Sequence, residues 1–463
     1  MKVVQLLQVH LNKIQYHILY KCFSGDVNYH FNPFPSLEMA ERNMVMMDET
    51  CKDLLRFWAL GLGASERTVE DLIGKDLCDE LLNNKLAIAD SEGIRLNNLV
   101  LISFSGHYLF VDRPTYYGQQ ITKGNPLNVY IGPDTYSLLD SIPNDLTGDM
   151  LELCSGSSAC SIAKSDQFDK LVCIDINAAA CRIGRINAAL NYKNEKIEIF
   201  NGNLYDPIKQ SKRCFDVIIA NPPFIPVPDT IPNYPICGVG GETGLDVISN
   251  ILMGVDDHLK KNGTLIISAE GLADKQGHLL NHALIEETAG KGFRIDVFVQ
   301  SCTHFYIGLL GLFQYCTESL LQDFSSKELF KYAEQLKHIG AYYYERYVFR
   351  ATKTDRCDEA KVNYVFLQSP LELDRLYRMS FSISNDVVHE NEDCYQIVTE
   401  KERIRIDKQC YSMLTLQQGD AFNPHEYISL VVKNESIDFI SECKLIKAVE
   451  SVIFLLISRG LIY

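Results

Sequence analysis

The chain has 463 residues, of which 46% are hydrophobic and 22% charged, a composition typical of a soluble globular protein, and its length predicts two or three domains. The formal net charge of −16 excludes a general polyanion-binding surface, because phosphate contacts require clustered Lys and Arg. A local basic patch is still compatible with this charge balance.

The cysteines predict a reducing compartment. There are 15, an odd number, without a C-x-x-C pair, and most lie in apolar runs, among them Cys154, Cys173 and Cys302. We therefore expect free, buried thiols in a cytoplasmic protein, with neither a disulfide framework nor a zinc site. His278 and His282 have a spacing that can bind a metal, but no third ligand accompanies them, so we expect no metal.

No segment predicts a membrane partner. Nothing reaches the roughly 18 uninterrupted apolar residues of a membrane span, and no small-residue cleavage site follows the N-terminal residues. The apolar run at 451–458 is short and follows charged residues, so we interpret it as part of a packed helix.

Residues 1–140 predict an N-terminal helical and winged-helix-like domain. The first 60 residues have a helical pattern with a proline-punctuated loop at 32–35. Two helices and a set of strands follow, an order typical of a winged helix. They are expected at 66–73 and 75–86 for the helices, and around 94–96, 99–104 and 108–111 for the strands. The second helix carries Asp76, Asp79 and Glu80, so we interpret this module as one that packs on protein or covers a substrate, with nucleic-acid binding as the alternative.

Residues 141–318 alternate strands with helices, the pattern of an α/β fold with a Rossmann-like, doubly wound, seven-stranded sheet. The strands are expected at 150–154, 171–175, 197–200, 217–220, 263–268, 293–299 and 305–310. Beyond residue 319 the alternation stops. The segment 319–463 is therefore predicted to form a C-terminal α+β domain.

Ligand-type residues follow four successive strands of this predicted sheet, and ligands of doubly wound sheets lie at the carboxyl ends of the strands. Small side chains in the turn at 154–158 allow the backbone to approach a ligand. Asp175 ends the second strand, 23 residues after Glu152, at the position from which a carboxylate holds a ribose diol. Asn203 and Leu204 follow the third strand, where they would hydrogen-bond and cover an adenine.

The fourth strand ends in Asn221-Pro222-Pro223-Phe224. Each proline has a fixed φ and offers a carbonyl without an N–H, so the loop presents acceptors in a defined geometry. If Asn221 and the Pro222 carbonyl each accept one N–H, they hold an NH₂ group facing an electrophile and stabilise the charge that builds on attack. Phe224 would stack on the planar body. A strand stopped by an ordinary Asn-Pro turn is the alternative interpretation.

These motifs resemble those of class I S-adenosylmethionine-dependent methyltransferases. More narrowly, they resemble the HemK-like group, which methylates glutamine amides in release factors, and related ribosomal RNA base methyltransferases. Segments 130–139 and 240–246 are similar to the proline-rich and glycine-rich stretches that flank the first motif and the catalytic loop of HemK enzymes. The resemblance covers about 130 to 315. Four positions depart from the family pattern: Cys154 and Ser158 replace glycines, Gly132 an arginine and Tyr136 an acidic residue.

The resemblance implies S-adenosylmethionine as cofactor and in-line transfer of its methyl group to nitrogen. The implied catalytic residues are Asn221, Pro222, Pro223 and Phe224. The implied cofactor-binding residues are Glu152, Cys154, Ser155, Gly156, Asp175, Ile176, Asn203, Leu204 and Asn221. Tyr136 and Phe224 are the candidates for binding the acceptor.

Two other functions stay open at this point. Some natural-product enzymes on this scaffold use the aminoalkyl chain of S-adenosylmethionine and release methylthioadenosine. A non-catalytic binding module that has kept the fold is the second alternative. The acceptor itself is open among protein, RNA and small molecule, and the acidic charge favours a protein or a small molecule over RNA.

Overall fold

The computed structural model describes most of the first 366 residues and short stretches beyond them. The described residues are 2–24, 34–114, 128–228, 234–305, 309, 326–354, 360–366, 381–382, 386–391, 394–398, 403–406, 408–415, 421–422, 427, 431, 445 and 449. The chain divides into two compact units. The first comprises Met1–Gly271, Asn281–Phe298 and Arg346–Val365, and the second comprises Leu272–Leu280, Val299–Glu345 and Phe366–Tyr463.

In its described residues, the first unit begins with six helices and two β-hairpins. The helices are α1 (Lys2–Lys13), α2 (Tyr16–Ser24), α3 (Leu37–Met44), α4 (Glu49–Trp58), α5 (Glu66–Ile73) and α6 (Lys75–Asn83). The hairpins pair β1 (Ala87–Asp90) with β2 (Gly93–Leu96) and β3 (Leu99–Phe104) with β4 (His107–Asp112). Strand β1 was not among the expected strands, and α6 ends at Asn83, three residues before the expected end at 86. Of the expected loop at 32–35, residues 32 and 33 lie outside the described part of the chain.

Local capping explains where these helices begin. The side chains of Ser36, Asp48 and Ser65 precede α3, α4 and α5, and each accepts a backbone N–H from the first turn. Such N-caps satisfy donors that have no partner inside the helix. Gly74 has a φ of +85° and separates α5 from α6, because this backbone conformation ends one helix and turns the chain into the next.

An eight-stranded sheet forms the body of the fold. Its strands are β5 (Asp149–Leu153), β6 (Lys170–Asp175), β7 (Ile197–Asn201), β8 (Phe215–Ala220), β9 (Leu259–Ala273), β10 (Phe293–His304), β11 (Tyr343–Lys353) and β12 (Lys361–Phe366). They are ordered β12-β10-β11-β9-β8-β5-β6-β7. The pairs β5–β6, β5–β8, β6–β7 and β8–β9 are parallel. The predicted mixed α/β fold with a parallel-dominated sheet is therefore confirmed.

The helices of this region connect the strands. They are α7 (Pro133–Asp140), α8 (Ala159–Ala163), α9 (Ala178–Leu190), α10 (Asp246–His258) and α11 (His282–Gly290), and a 3₁₀ helix spans Asp206–Ser211. Most residues of β5, β6 and β8 are buried. This burial is expected for parallel strands that are covered on both faces.

One predicted strand is wrong. Within the expected strand 305–310, the two described residues, Phe305 and Leu309, are helical. A short apolar run has no periodicity that distinguishes a buried strand from a buried helix, so the sequence pattern could not decide here. The position between β9 and β10 is instead filled by β11, whose residues come from far downstream. The sheet consequently has eight strands, where seven were predicted.

The second unit contains further short elements. They are α12 (Ser326–His338), α13 (Lys408–Thr415), β13 (Phe381–Ser382), β14 (Asp386–Asn391), β15 (Cys394–Val398), β16 (Arg403–Ile406) and β17 (Ala421–Phe422). Strands β14, β15 and β16 form an antiparallel sheet, and β13 pairs antiparallel with β17. Cys302 of this unit and Cys173 of the first are buried free thiols, as expected, whereas Cys154 is partly exposed.

The hairpin β3–β4 is joined to α9 by side-chain amides. Asn187 and Asn191 lie one turn apart on one face of α9. Asn187 pairs with the backbone of Phe110, and Asn191 pairs with the backbone of Tyr108, each through one accepted and one donated hydrogen bond. Side-chain hydrogen bonds thus attach the β3–β4 hairpin to helix α9 within the first unit.

Candidate active site

The turn after β5 has an unusual backbone. Cys154, Gly156 and Ser158 have φ values of +54°, +48° and +60°, all in the left-handed region. Cys154 and Ser158 stand where the resemblance expects glycine, and they adopt the conformation that glycine adopts at least cost. A Cβ added at Gly156 would meet no atom within 4 Å, so the space above this backbone is open. The turn can therefore accept a ligand against its main chain.

Asp175 joins the ends of β5 and β6. Its Oδ2 accepts the N–H of Gly156 at 2.8 Å, and its Oδ1 accepts the N–H of Asn177 at 2.8 Å. Burial raises the pKa of Asp175. A carboxylate has about four lone-pair sites, so two remain for hydroxyl donors. Ile176, the next residue, is 56% exposed, which places an apolar side chain beside this carboxylate.

The other predicted cofactor residues are spread around this turn. Glu152 is buried, and its Oε2 accepts the N–H of Ser161 at 2.9 Å, so its carboxyl faces α8. Burial raises the pKa of Glu152 to about 7. Ser155 has a buried hydroxyl without a hydrogen-bond partner among the described residues. After β7, Asn203 is exposed and Leu204 is half-buried.

The predicted catalytic loop follows β8, and a carboxyl group is the partner of its first residue. Asn221 Nδ2 donates to Asp134 Oδ2 at 2.6 Å. Asn221 Oδ1 is buried and has no hydrogen-bond partner among the residues that the structure describes. Leaving a buried acceptor unpaired costs about 1 to 3 kcal/mol, so this oxygen is a strong candidate to accept an N–H from a ligand.

Sequence reasoning missed Asp134. It lies in the segment 130–139 that resembles the family, and this was the only signal that could have found it. Asp134 is in the first turn of α7, where the free N–H groups of the helix favour a carboxylate. Burial raises the pKa of Asp134, and the hydrogen bond from Asn221 lowers it.

The glycine-rich stretch after the loop packs against Asn221–Phe224. Ile225 donates its N–H to Gly238 O at 2.8 Å and accepts the N–H of Gly240 at 2.9 Å. Gly244 has a φ of +78°, and a Cβ on it would collide with the carbonyl oxygen of Phe224. Pro222 is buried, whereas Pro223 and Phe224 are half-buried. The glycine-rich stretch 240–246 therefore positions the backbone of the predicted catalytic loop.

Tyr136 lies on a different side of α7 from Asp134. Its ring packs on Phe104 with 4.9 Å between ring centroids. Residues two apart on a helix point about 200° apart, so α7 cannot turn both side chains to Asn221. The structure brings Asp134 to the loop and places Tyr136 against β3. An acceptor contact of Tyr136 stays a prediction.

Cys237 follows the loop and is within electrostatic reach of three carboxyl groups. Burial, and then the charges of Asp112, Asp134 and Asp175, raise the pKa of Cys237 to about 12. Asp112 accepts the N–H groups of Asn128 and Val129 at 2.7 and 2.6 Å.

Two features are absent from the described ranges. No group of three or more His, Cys, Asp or Glu side chains in them is arranged to hold a metal ion. No helix in the same part of the chain is both long and apolar enough to cross a membrane. The predicted helix that includes 451–458 lies outside the described residues.

Known proteins are similar to this chain in the region that contains the candidate site. Residues 131–291 match the family described as "Methyltransferase small domain". The ribosomal protein uL3 glutamine methyltransferase of Burkholderia pseudomallei is 30% identical over 137 residues, which are 27% of this chain and 45% of the relative. The release factor glutamine methyltransferase of Aquifex aeolicus is 30% identical over 169 residues, 35% of this chain and 57% of the relative.

A second release factor glutamine methyltransferase, from Clostridium acetobutylicum, is 32% identical over 148 residues, 29% of this chain and 52% of the relative. The chain thus spans about half the length of these curated relatives. The resemblance to HemK-like methyltransferases that the motifs predict is confirmed for this segment.

Proposed function

We propose that this chain, with its methyltransferase small domain at 131–291, transfers a methyl group from S-adenosylmethionine to a planar amide or aromatic amine nitrogen. The observation that carries this proposal is the buried Oδ1 of Asn221. It is an acceptor without a partner among the described residues, and its amide is fixed from the other side by Asp134.

The residues after β5, β6 and β7 fit the cofactor. Gly156 leaves open space over the main chain, Asp175 has acceptor sites for a ribose diol, and Ile176 and Leu204 offer apolar surface to a base. Asn203 and Ser155 offer polar groups beside them. When bound, S-adenosylmethionine supplies an electrophilic methyl group.

The catalytic loop would hold the acceptor nitrogen. Asn221 Oδ1 and the Pro222 carbonyl each accept one N–H of an NH₂ group, so the nitrogen is oriented and its developing positive charge is stabilised. Phe224 stacks on the planar group. The nitrogen loses its extra proton after it has gained the methyl group, so the loop needs no general base before transfer.

A protein glutamine amide is the acceptor that we favour. The relatives are named as glutamine methyltransferases of a release factor and of ribosomal protein uL3. The net charge of −16 also favours a protein or small molecule over RNA. Gly132 and Tyr136 differ from the family pattern. The residues on either side of the methylated glutamine are therefore also to be identified by experiment.

The flanking segments would serve this acceptor. We propose 1–140 as an N-terminal domain, 141–318 as the methyltransferase domain and 319–463 as a C-terminal domain that also supplies β11 and β12 to the sheet. In this proposal the outer two recognise the acceptor or cover it during transfer, in a cytoplasmic protein.

The experiment is to incubate the purified full chain with S-adenosylmethionine and a synthetic peptide that contains Gly-Gly-Gln, and in parallel with a cell protein extract. Mass spectrometry identifies both the spent cofactor and the methylated product. A matched peptide with Glu in place of Gln is the control. We expect S-adenosylhomocysteine only when an acceptor with an amide is present. Methylthioadenosine formed from the cofactor alone would contradict methyl transfer. It would show instead that the enzyme uses the aminoalkyl chain of S-adenosylmethionine.

A further inference from the structure

We propose that Asp134 is a positioning residue that fixes the orientation of the Asn221 side chain, so that the oxygen of that amide, and not its nitrogen, faces the methyl acceptor. This inference rests on the proposed function of the catalytic loop. It adds a residue on α7, 87 positions upstream of Asn221, to the machinery of that loop.

The chemistry of the pair selects one orientation. An asparagine amide has a donating end and an accepting end, which exchange when the group rotates by about 180°. An ionised carboxylate only accepts hydrogen bonds, so the amide must turn its nitrogen toward Asp134. The observed bond, Nδ2 to Oδ2 at 2.6 Å, has this direction and is short, in keeping with an acceptor that carries charge.

The opposite end of the amide is then aimed away from α7. Asn221 Oδ1 is buried and unpaired within the described part of the chain, so an N–H of the acceptor can satisfy it. The reverse orientation would place the NH₂ of Asn221 against the NH₂ of the acceptor. Two donors cannot form a hydrogen bond, and the acceptor nitrogen would not be held.

The surroundings of Asp134 keep its carboxylate in place. It lies in the first turn of α7, whose start is fixed by a bond from Gly132 N–H to the Thr135 hydroxyl. Glu270 on β9 is the acidic group that faces Asp134, and it is bound by Arg346 of β11 through two nitrogens at 2.9 and 2.7 Å. This ion pair limits the repulsion that Glu270 exerts on Asp134.

Two thiols among the described residues are further titratable groups near Asp134. Cys160 on α8 and Cys237 after the catalytic loop lie within electrostatic reach of its charge. Both have pKa values that are raised, first by burial, so both stay neutral near pH 7. Protonation of Asp134 would give it an O–H donor, which can bind Asn221 Oδ1 and reverse the amide. The ionised form is thus the one that supports transfer.

The test uses three variants that change only the donor and acceptor pattern. In Asp134→Asn the partner of Asn221 can both donate and accept, so the orientation is no longer selected. In Asn221→Asp two carboxylates face each other. In the double variant D134N/N221D, the new amide donates to the new carboxylate, whose second oxygen can still accept an N–H from the substrate.

We expect D134N to lower kcat for the Gly-Gly-Gln peptide about 10²-fold, the effect of losing one oriented group in such a site. N221D should be at least as slow, and the double variant should exceed N221D by about tenfold or more. Binding of S-adenosylhomocysteine, measured by calorimetry, should stay within about threefold in all of them. D140N is the matched control, because Asp140 is exposed on the same helix, and it should keep full turnover.

The outcomes separate this inference from the function on which it rests. Wild-type protein that methylates no acceptor contradicts the proposed function. Active wild type together with a D134N variant within about threefold of its kcat overturns the role of Asp134 alone. A folded, cofactor-binding double variant that is no faster than N221D also overturns it, because restored pairing would then have no effect on turnover.

Discussion

Asn187 binds the main chain of Phe110 as a neighbouring strand would. Its Oδ1 accepts the Phe110 N–H at 2.8 Å, and its Nδ2 donates to the Phe110 carbonyl at 3.0 Å. Both residues are fully buried. One amide on α9 therefore satisfies both backbone groups of a residue on the edge of β4.

Replacing Asn187 by alanine should destabilise the protein. Phe110 would keep a buried N–H and a buried C=O without partners, and each such group costs about 1 to 3 kcal/mol. We expect the free energy of unfolding to fall by about 2 kcal/mol or more in urea denaturation. Asn191→Ala is the control, because its partner Tyr108 is only half-buried and water can replace the amide. Equal losses in the two variants would contradict this account.

Replacing Asn221 by alanine should stop turnover without preventing cofactor binding. The variant loses the oxygen that would accept the acceptor N–H, and such a loss in a buried site costs about 2.7 to 4 kcal/mol of transition-state stabilisation. We expect kcat to fall roughly 10²-fold or more in the methylation assay. Asn194→Ala, on the exposed surface, should behave as wild type. Near-normal turnover of N221A would remove Asn221 from the mechanism.

Replacing Asp175 by alanine should weaken cofactor binding. The variant loses the carboxylate that joins Gly156 to Asn177, as well as the acceptor for a ribose hydroxyl. Hydrogen bonds to charged groups contribute about 1.5 to 3 kcal/mol, so we expect the Kd for S-adenosylhomocysteine to rise about 10-fold to 10²-fold. Isothermal calorimetry measures this change. Asp169→Asn, exposed before β6, should leave the Kd unchanged, and an unchanged Kd in D175A would exclude Asp175 from the site.

The buried carboxyl of Glu152 should make stability depend on pH. Burial raises its pKa from 4.5 to about 7, so the folded state binds the proton more tightly than the unfolded state does. The resulting stabilisation is complete below pH 4.5 and is lost as pH rises through 7. Between these limits we expect a loss of about 2 to 3 kcal/mol.

Glu152→Gln should remove this part of the pH dependence. The amide oxygen can still accept the Ser161 N–H, but the side chain no longer titrates. Urea unfolding of wild type and E152Q at several pH values between 5 and 8 compares the two slopes. Burial also raises the pKa of Asp112 to about 7. Asp112 therefore contributes the same pH dependence to the free energy of unfolding of both proteins. Parallel curves would show that Glu152 does not titrate in this range.

Replacing Gly244 by alanine should disturb the catalytic loop. Its φ of +78° disfavours any side chain, and the new Cβ would collide with the Phe224 carbonyl. Gly106 is a matched control, because its φ is +79° and a Cβ there would meet no atom within 4 Å. We expect G106A to lose about 1 to 2 kcal/mol of stability with normal turnover. G244A should lose more stability and at least about tenfold in kcat, and equal behaviour of the two would contradict the contact.

The sequence predicted those site residues that lie at the carboxyl ends of the parallel strands. Gly156, Asp175 and Asn221 each end a strand of a parallel sheet, and such ends converge at one edge, so their proximity was predictable. Asp134 was not, because its bond to Asn221 depends on the angle at which α7 meets the sheet. The prediction of a strand at 305–310 was wrong for another reason. Its apolar run fits a helix as well as a strand, and only tertiary packing decided between them.

The position of β11 sets an order of events during synthesis. This strand lies between β9 and β10, yet its last residue is Lys353, about fifty residues beyond the end of β10. A nascent chain that has just completed β10 therefore exposes strand edges that await a partner, and closing such a gap is slow because it needs a contact between distant segments. Chains truncated near residue 318 would keep those edges open, so expression of the isolated methyltransferase segment should yield aggregates where the full chain yields folded protein.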